Sequence, residues 1–198
     1  MDRGTVFEKM PESEAHNNGR LLVENEPGFE QLGLESVPWS DEAELRARSA
    51  VVVHLLPDRQ VIGLRCGPSN ELIYFKRYTS GSLRAVLSVL FCGSRARREW
   101  NASRRATALG ISTVRPVALL ERKRGPVVVE SIIATEELAG SPLQEFWRRG
   151  TSDGEQRDLI RELGAFLRRV HDSGLRHGDL TCKNVFVRRT PNGPELAL

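Results

Sequence analysis

Arg176-His177-Gly178-Asp179-Leu180-Thr181-Cys182-Lys183-Asn184 is the stretch on which the reading of this 198-residue chain turns. A histidine is followed two residues later by an aspartate, and five residues beyond that by an asparagine. Before it, a long helix is expected over 153–173. Ser152-x-x-Glu155 reads as a capping box, and Leu159, Leu163, Phe166, Leu167 and Val170 fall on one face. Gly174 is the expected stop. After the stretch, Val185-Phe-Val-Arg-Arg189 reads as a strand, and Pro191-Asn-Gly-Pro194 as a turn. The last residues, Glu195-Leu-Ala-Leu198, then end the chain as half a hairpin. A compact loop between such a helix and strand can hold a carboxylate and an amide on one rim. The plainer alternative is a turn rich in Asp and Asn, as many helix-to-strand turns are.

Outward from the loop, the rest of the chain sorts into short elements. Three β-branched or aromatic runs, 51–56, 61–65 and 71–77, are separated by Pro57-Asp58 and Gly67-Pro68-Ser69-Asn70. They predict an antiparallel meander. Residues 94–109 read as a helix with Ala96, Trp100, Ser103 and Thr107 on one face and Gly110 as its stop. Strands are expected at 114–120 and 127–135, joined by a turn at 122–126, and a short helix at 142–149. Residues 1–45 are polar and acidic, broken by Pro11, Asn17-Asn18-Gly19, Pro27-Gly28 and Pro38. No helix or strand period survives there, which predicts a loosely ordered segment. The expected class is α+β, with a sheet-bearing lobe at 46–137 and a partial helical lobe at 138–198.

Composition narrows the classes. Hydrophobic residues make up 39% and charged residues 28%, a globular balance. The apolar run Val86-Leu-Ser-Val-Leu-Phe91 is too short to span a bilayer, and the first residues lack the apolar core of a signal peptide. Three cysteines, Cys66, Cys92 and Cys182, have no metal-ligand spacing, and their odd number argues against a disulfide framework. A cytoplasmic, reduced protein is expected. The net charge of +3 conceals 11 acids and 5 bases in residues 1–50, which leaves the remainder strongly basic. Arginines cluster from Arg95 to Arg124. Such a face suits an anionic partner, or is an ordinary solvated face. No recognition motif accompanies the charge, which argues against a nucleic-acid binder.

Three stretches together carry a resemblance. They are Tyr74-Phe-Lys76-Arg-Tyr78; Ser94-Arg-Ala-Arg-Arg-Glu99-Trp100 through Leu109-Gly110-Ile111; and Val170-His171-Asp-Ser-Gly174-Leu175-Arg-His177-Gly178-Asp179-Leu180. In order and spacing they resemble the protein-kinase-like superfamily. The closer similarity is to the bacterial lipopolysaccharide kinases that phosphorylate inner-core sugars. The likeness covers most of the chain from about residue 50 and is most specific in the loop.

The resemblance implies a kinase-like fold, with an antiparallel-sheet lobe carrying one helix and an incomplete helical lobe. It implies a phosphotransferase using ATP and Mg²⁺ on a hydroxyl of a lipopolysaccharide core sugar; the basic Arg95–Arg124 region would then suit the glycolipid or peripheral contact at the anionic inner membrane face. Lys76 would contact the ATP phosphates, and Glu99 would pair with it. Asp179 would orient the acceptor hydroxyl and take its proton, and Asn184 would bind Mg²⁺. Independently of the family, a half-buried lysine on an aromatic strand requires a carboxylate, and Glu99 is the only acid in residues 94–109. The alternatives are an exposed edge-strand lysine and a solvated helix acid. Lys183, four residues after Asp179, could neutralise a migrating phosphoryl charge or simply be solvated. His171 and His177 are expected to serve as packing and hydrogen-bonding supports.

The sequence departs from the family pattern at three places. Thr181 stands where protein serine/threonine kinases characteristically carry lysine, which argues against a protein kinase. No Gly-x-Gly-x-x-Gly precedes Lys76; the first hairpin turns at Leu56-Pro-Asp-Arg-Gln60, and Gly63 and Gly67 are poor substitutes. The second metal-binding aspartate should follow directly after Leu198, and Glu195 lies on the wrong side of the final strand to replace it. This leaves a second reading, a catalytically incomplete, pseudokinase-like binding module or gene fragment. It also predicts that the apolar face at 159–170 is under-covered.

Overall fold

Short runs rich in β-branched, aliphatic and aromatic residues build the larger sheet of this computed structural model. The structure describes residues 20–29, 32, 37–39, 41–47, 51–56, 58–66, 70–79, 89, 91–150, 152–175, 180–191 and 193–198. Among them, two compact units are distinguished: Met1–Asn101 with Pro116–Glu137, and Ala102–Arg115 with Leu138–Leu198.

In the first unit, among the described residues, six strands form one antiparallel sheet. They are β1 (Arg20–Asn25), β2 (Val51–Leu55), β3 (Arg59–Cys66), β4 (Glu71–Thr79), β5 (Pro116–Arg124) and β6 (Val127–Glu136), in the order β1-β5-β6-β4-β3-β2. The period of two sorts the side chains to opposite faces. Ile73 and Phe75 of β4 pack on one face with Ile62, Ala118, Leu120, Ile132 and Ala134. Tyr78 lies on the other face with Leu119 and Ile133, against Ala96 and Trp100 of helix α2 (Arg95–Ala108). Fully burying one such side chain contributes about 1.5–3 kcal/mol. The buried positions on α2 are Ala96, Trp100 and Ala106, whereas Thr107, expected on this face, is exposed.

The described residues between 20 and 47 correct the reading of a loosely ordered N-terminal segment. β1 pairs antiparallel with β5 from Arg20↔Lys123 to Asn25↔Ala118. A short helix, α1 (Glu42–Ala47), begins at Asp41, whose Oδ1 accepts from the Glu44 N–H at 2.9 Å. Val37, Trp39 and Leu45 are buried in the same core as Ile73 and Phe75. An edge strand of half-buried residues and a six-residue helix are too short to show a period.

The second unit holds β7 (Ser141–Pro142), α3 (Leu143–Arg148), α4 (Asp153–Asp172), β8 (Phe186–Thr190) and β9 (Gly193–Ala197). The capping box forms as expected. Ser152 Oγ accepts from the Glu155 N–H at 3.3 Å. Hydrogen bonding from Arg189, and in smaller part from the Ser152 backbone, holds the Glu155 carboxyl below its usual pKa. Gly174, at φ +70°, takes the left-handed position after the helix. β8 and β9 pair fully from Phe186↔Ala197 to Thr190↔Gly193, a complete hairpin rather than half of one.

Leu159, Phe166 and Val170 of α4 are buried against Leu143, Phe146, Val185, Val187, Leu196 and Leu198. The face expected to be under-covered is thus covered at Leu159, Phe166 and Val170, whereas Leu163 and Leu167 stay half-buried. Leu198 completes this cover by exchanging backbone hydrogen bonds with Ser112 and Val114, each at 2.9 Å.

Gly140 has a required conformation. Its φ is +119°, and a Cβ there would lie 2.5 Å from the Val187 carbonyl oxygen on β8. Gly140→Ala is expected to destabilise the protein by about 2–4 kcal/mol, combining backbone strain with a clash that only backbone movement relieves. Urea unfolding measures it, and a loss under about 0.5 kcal/mol would contradict this close approach.

Candidate active site

Lys76 sits on β4, an interior strand, with Val61 of β3 on one side and Ile133 of β6 on the other. This removes the edge-strand alternative. Its Nζ lies 3.1 Å from Oε2 of Glu99 on α2. The two side chains are 27% and 37% exposed, so the pair is half-sheltered yet reachable from solvent. The solvated-acid alternative for Glu99 falls with it. The other Glu99 oxygen, Oε1, accepts from the Tyr78 hydroxyl. Tyr78 is two residues beyond Lys76 and on the same strand face. That spacing was the available signal for Tyr78, although a tyrosine on a strand reads first as core filling.

The start of α2 is tied to the sheet by a second polar group that sequence reasoning missed. The Ser94 hydroxyl accepts the Arg97 N–H at 3.0 Å, closing the first turn, and donates to Glu121 Oε1 of β5 at 2.5 Å. Arg97 donates to Glu121 Oε2 at 2.8 Å and also reaches Glu24 of β1. Burial alone would lower the Arg97 pKa, but the hydrogen bonds it donates to these carboxylates outweigh that and raise it. Glu121 is itself buried. Its one sequence signal is an acid directly after the apolar run Val117-Ala-Leu-Leu120. Glu121→Ala strands Ser94 and half of Arg97 in a sheltered site, and is expected to cost about 2–4 kcal/mol. Denaturant unfolding checks this; a cost within about 0.5 kcal/mol would show that the network contributes nothing.

These pairs also revise the basic stretch. Arg97 is engaged by Glu24 and Glu121, and Arg122 by Glu130 at 2.9 Å, a carboxylate that Arg77 also holds at 2.5 Å. Part of the arginine cluster therefore serves the fold, while Arg98, Arg105 and Arg124 are exposed. Gly63 likewise has a packing role, since a Cβ there would lie 3.2 Å from Tyr74 and Leu72; Gly67 lies outside the described residues.

In the second unit the loop after the long helix is described from Leu180 onward; Asp179 and His177 lie outside the described residues. Thr181 O accepts from the Asn184 N–H at 2.9 Å, a tight turn. The loop is pinned to the start of α3, because Cys182 O accepts from Gln144 N at 3.0 Å and Val185 O from Leu143 N at 2.7 Å. Those amides belong to the first helical turn and would otherwise lack partners. The turn opens on a depression of about 490 Å³ lined, among the described residues, by Gln144, Thr181, Cys182, Lys183 and Asn184. Lys183 and Asn184 are thus brought to one rim, with Lys183 exposed. Gln144 carried no sequence signal beyond its place in a short helix. His171 departs from the expected packing role, being exposed near the end of α4.

Comparison with known proteins bears on the family and the fold. The lipopolysaccharide kinase (Kdo/WaaP) family matches residues 65–198. The chain is 29% identical over 116 residues to the lipopolysaccharide core heptose(I) kinase WaaP of Escherichia coli, covering 54% of this chain and 44% of that protein. It is 27% identical over 147 residues to the protein of the same name from Escherichia coli strain K12, covering 69% of this chain and 54% of that one. The chain therefore spans about half the length of the curated relatives it matches. Among solved structures, it is similar to WaaP in complex with acyl carrier protein. The TM-score is 0.61 at 22% identity, covering 89% of this chain and 69% of that chain. The fold is protein-kinase-like.

Proposed function

The chain belongs to the lipopolysaccharide kinase (Kdo/WaaP) family, and from that premise we propose that it is an ATP-dependent phosphotransferase acting on a hydroxyl of a lipopolysaccharide core sugar. The names of its relatives point to a heptose as that sugar. The observation that carries the proposal is the Lys76–Glu99 pair, a half-sheltered ammonium held at 3.1 Å by a helix carboxylate. Lys76 would grip the nucleotide phosphates, and Glu99 would keep the ammonium in place.

The loop would supply the second set of groups. Asp179 would orient the acceptor hydroxyl and take its proton as the oxygen attacks the γ-phosphorus. The bond to the β–γ bridging oxygen then breaks and ADP leaves. Lys183, on the exposed rim, would offset charge on the phosphoryl group in transit. Asn184 fits as one ligand of a hard cation, since its amide offers the oxygen donor that Mg²⁺ prefers. Bound there, Mg²⁺ would spread the charge of the phosphates. Positioning would provide most of the acceleration.

We further propose that the nucleotide-holding lobe ends near residue 137 and that the acceptor-side lobe spans 138–198. Among the described residues no helix is long and apolar enough to cross a membrane. The use of ATP favours a cytoplasmic site, and the exposed Arg98, Arg105 and Arg124 suit peripheral contact with an anionic surface. The test is incubation with ATP, Mg²⁺ and dephosphorylated core oligosaccharide, read by mass spectrometry. One phosphate gained on a heptose is expected. Phosphate delivered to a protein acceptor instead would overturn the substrate class.

A further inference from the structure

The two oxygens of Glu99 have different donors. Lys76 Nζ takes Oε2 at 3.1 Å, and the Tyr78 hydroxyl takes Oε1. Both donors project from the same face of β4 toward α2. They differ in freedom. Lys76 is a flexible chain with 27% of its side chain exposed. Tyr78 is 6% exposed, its ring packed with Ala96, Trp100, Leu119 and Ile133, and the Arg95 guanidinium lies 5.9 Å from the ring centre.

A half-exposed ion pair contributes little by itself and leaves two side chains able to rotate. A hydrogen bond from a buried hydroxyl to a carboxylate is stronger and directional. We propose that Tyr78 is a positioning residue for nucleotide binding: its hydroxyl fixes the Glu99 carboxylate, so that Glu99 presents one set acceptor to Lys76. The ammonium is then held where the phosphates arrive. This rests on the reading of Lys76 as a phosphate contact. Burial, and then the Glu99 charge, push the Tyr78 pKa well up, so the hydroxyl stays protonated and remains a donor across the working pH range.

The test is a calorimetric titration of the full chain with MgATP in four forms: wild type, Tyr78→Phe, Glu99→Ala and the double variant, with Lys76→Ala as control. Tyr78→Phe keeps the ring and is expected to weaken MgATP binding about five- to tenfold, the loss of one charge-assisted hydrogen bond. In the Glu99→Ala background the same change should have no further effect, because the hydroxyl then has nothing to position. A role confined to packing would lower the melting temperature without this pattern. Equal losses in both backgrounds would overturn the proposal. If Lys76→Ala weakens binding and Tyr78→Phe does not, only the Tyr78 role falls. If Lys76→Ala leaves binding unchanged, the phosphate reading falls, and the Tyr78 role with it.

Discussion

Asp179→Asn is expected to lower phosphoryl transfer by roughly 10²–10⁴-fold while leaving MgATP affinity within about twofold. The substitution keeps the size of the side chain and removes the group proposed to accept the hydroxyl proton. The acceptor oxygen would then attack while still protonated, or lose its proton to water without orientation. Nucleotide binding is proposed to draw on Lys76 and Glu99, which this change does not touch. Steady-state transfer to core oligosaccharide and separate calorimetry with MgATP read the two effects independently. Turnover within about twofold of wild type would sink the assignment of Asp179, and a parallel loss of both would mean that the loop had collapsed.

Lys76→Ala should weaken MgATP binding by roughly 10- to 100-fold, since it deletes a charge-assisted contact to the phosphates. Glu99→Ala should do much the same more weakly, because Lys76 remains but is no longer held. The double variant should be little worse than Lys76→Ala alone. Residues that act as one unit are not additive, and Glu99 is proposed to affect the nucleotide only through Lys76. Independent, additive losses would mean that Glu99 has a separate contact. The same titrations in Glu121→Ala distinguish loosening of the whole helix from loss of the pair itself, because Glu121 holds Ser94 and Arg97 at the start of α2.

The elements legible from sequence are those whose signal is local. The capping box at Ser152 and Glu155, with apolar residues on one helical face, specifies α4 before any packing is known. The β-branched and aromatic runs around Ile62 and Phe75, bounded by turn residues, are enough to give β3 and β4. β1 was not legible. Its residues are half-buried at a sheet edge, and their conformation is set by pairing with β5, nearly a hundred residues later. Val37, Trp39 and Leu45 reach the core singly, from a segment whose Pro and Gly content reads as loop.

The site divides in the same way. Glu99 was identifiable as the sole acid of a basic helix, and the half-buried Lys76 needs such a partner. Tyr78 and Glu121 were not identifiable. Their significance lies in which residue of another element they meet, and neither aromatic nor acidic character on a strand announces that. Arg97 and Arg122 misled in the opposite direction, counted as surface charge when carboxylates of the sheet engage them.

The proposed grip of Lys76 and Glu99 on the phosphates of a nucleotide is read by calorimetric titration of the wild-type chain with ATP, with and without Mg²⁺. Saturable binding of one nucleotide is expected, strengthened by Mg²⁺ and weakened roughly 10- to 100-fold by Lys76→Ala. No binding, or binding indifferent to Lys76, would contradict it.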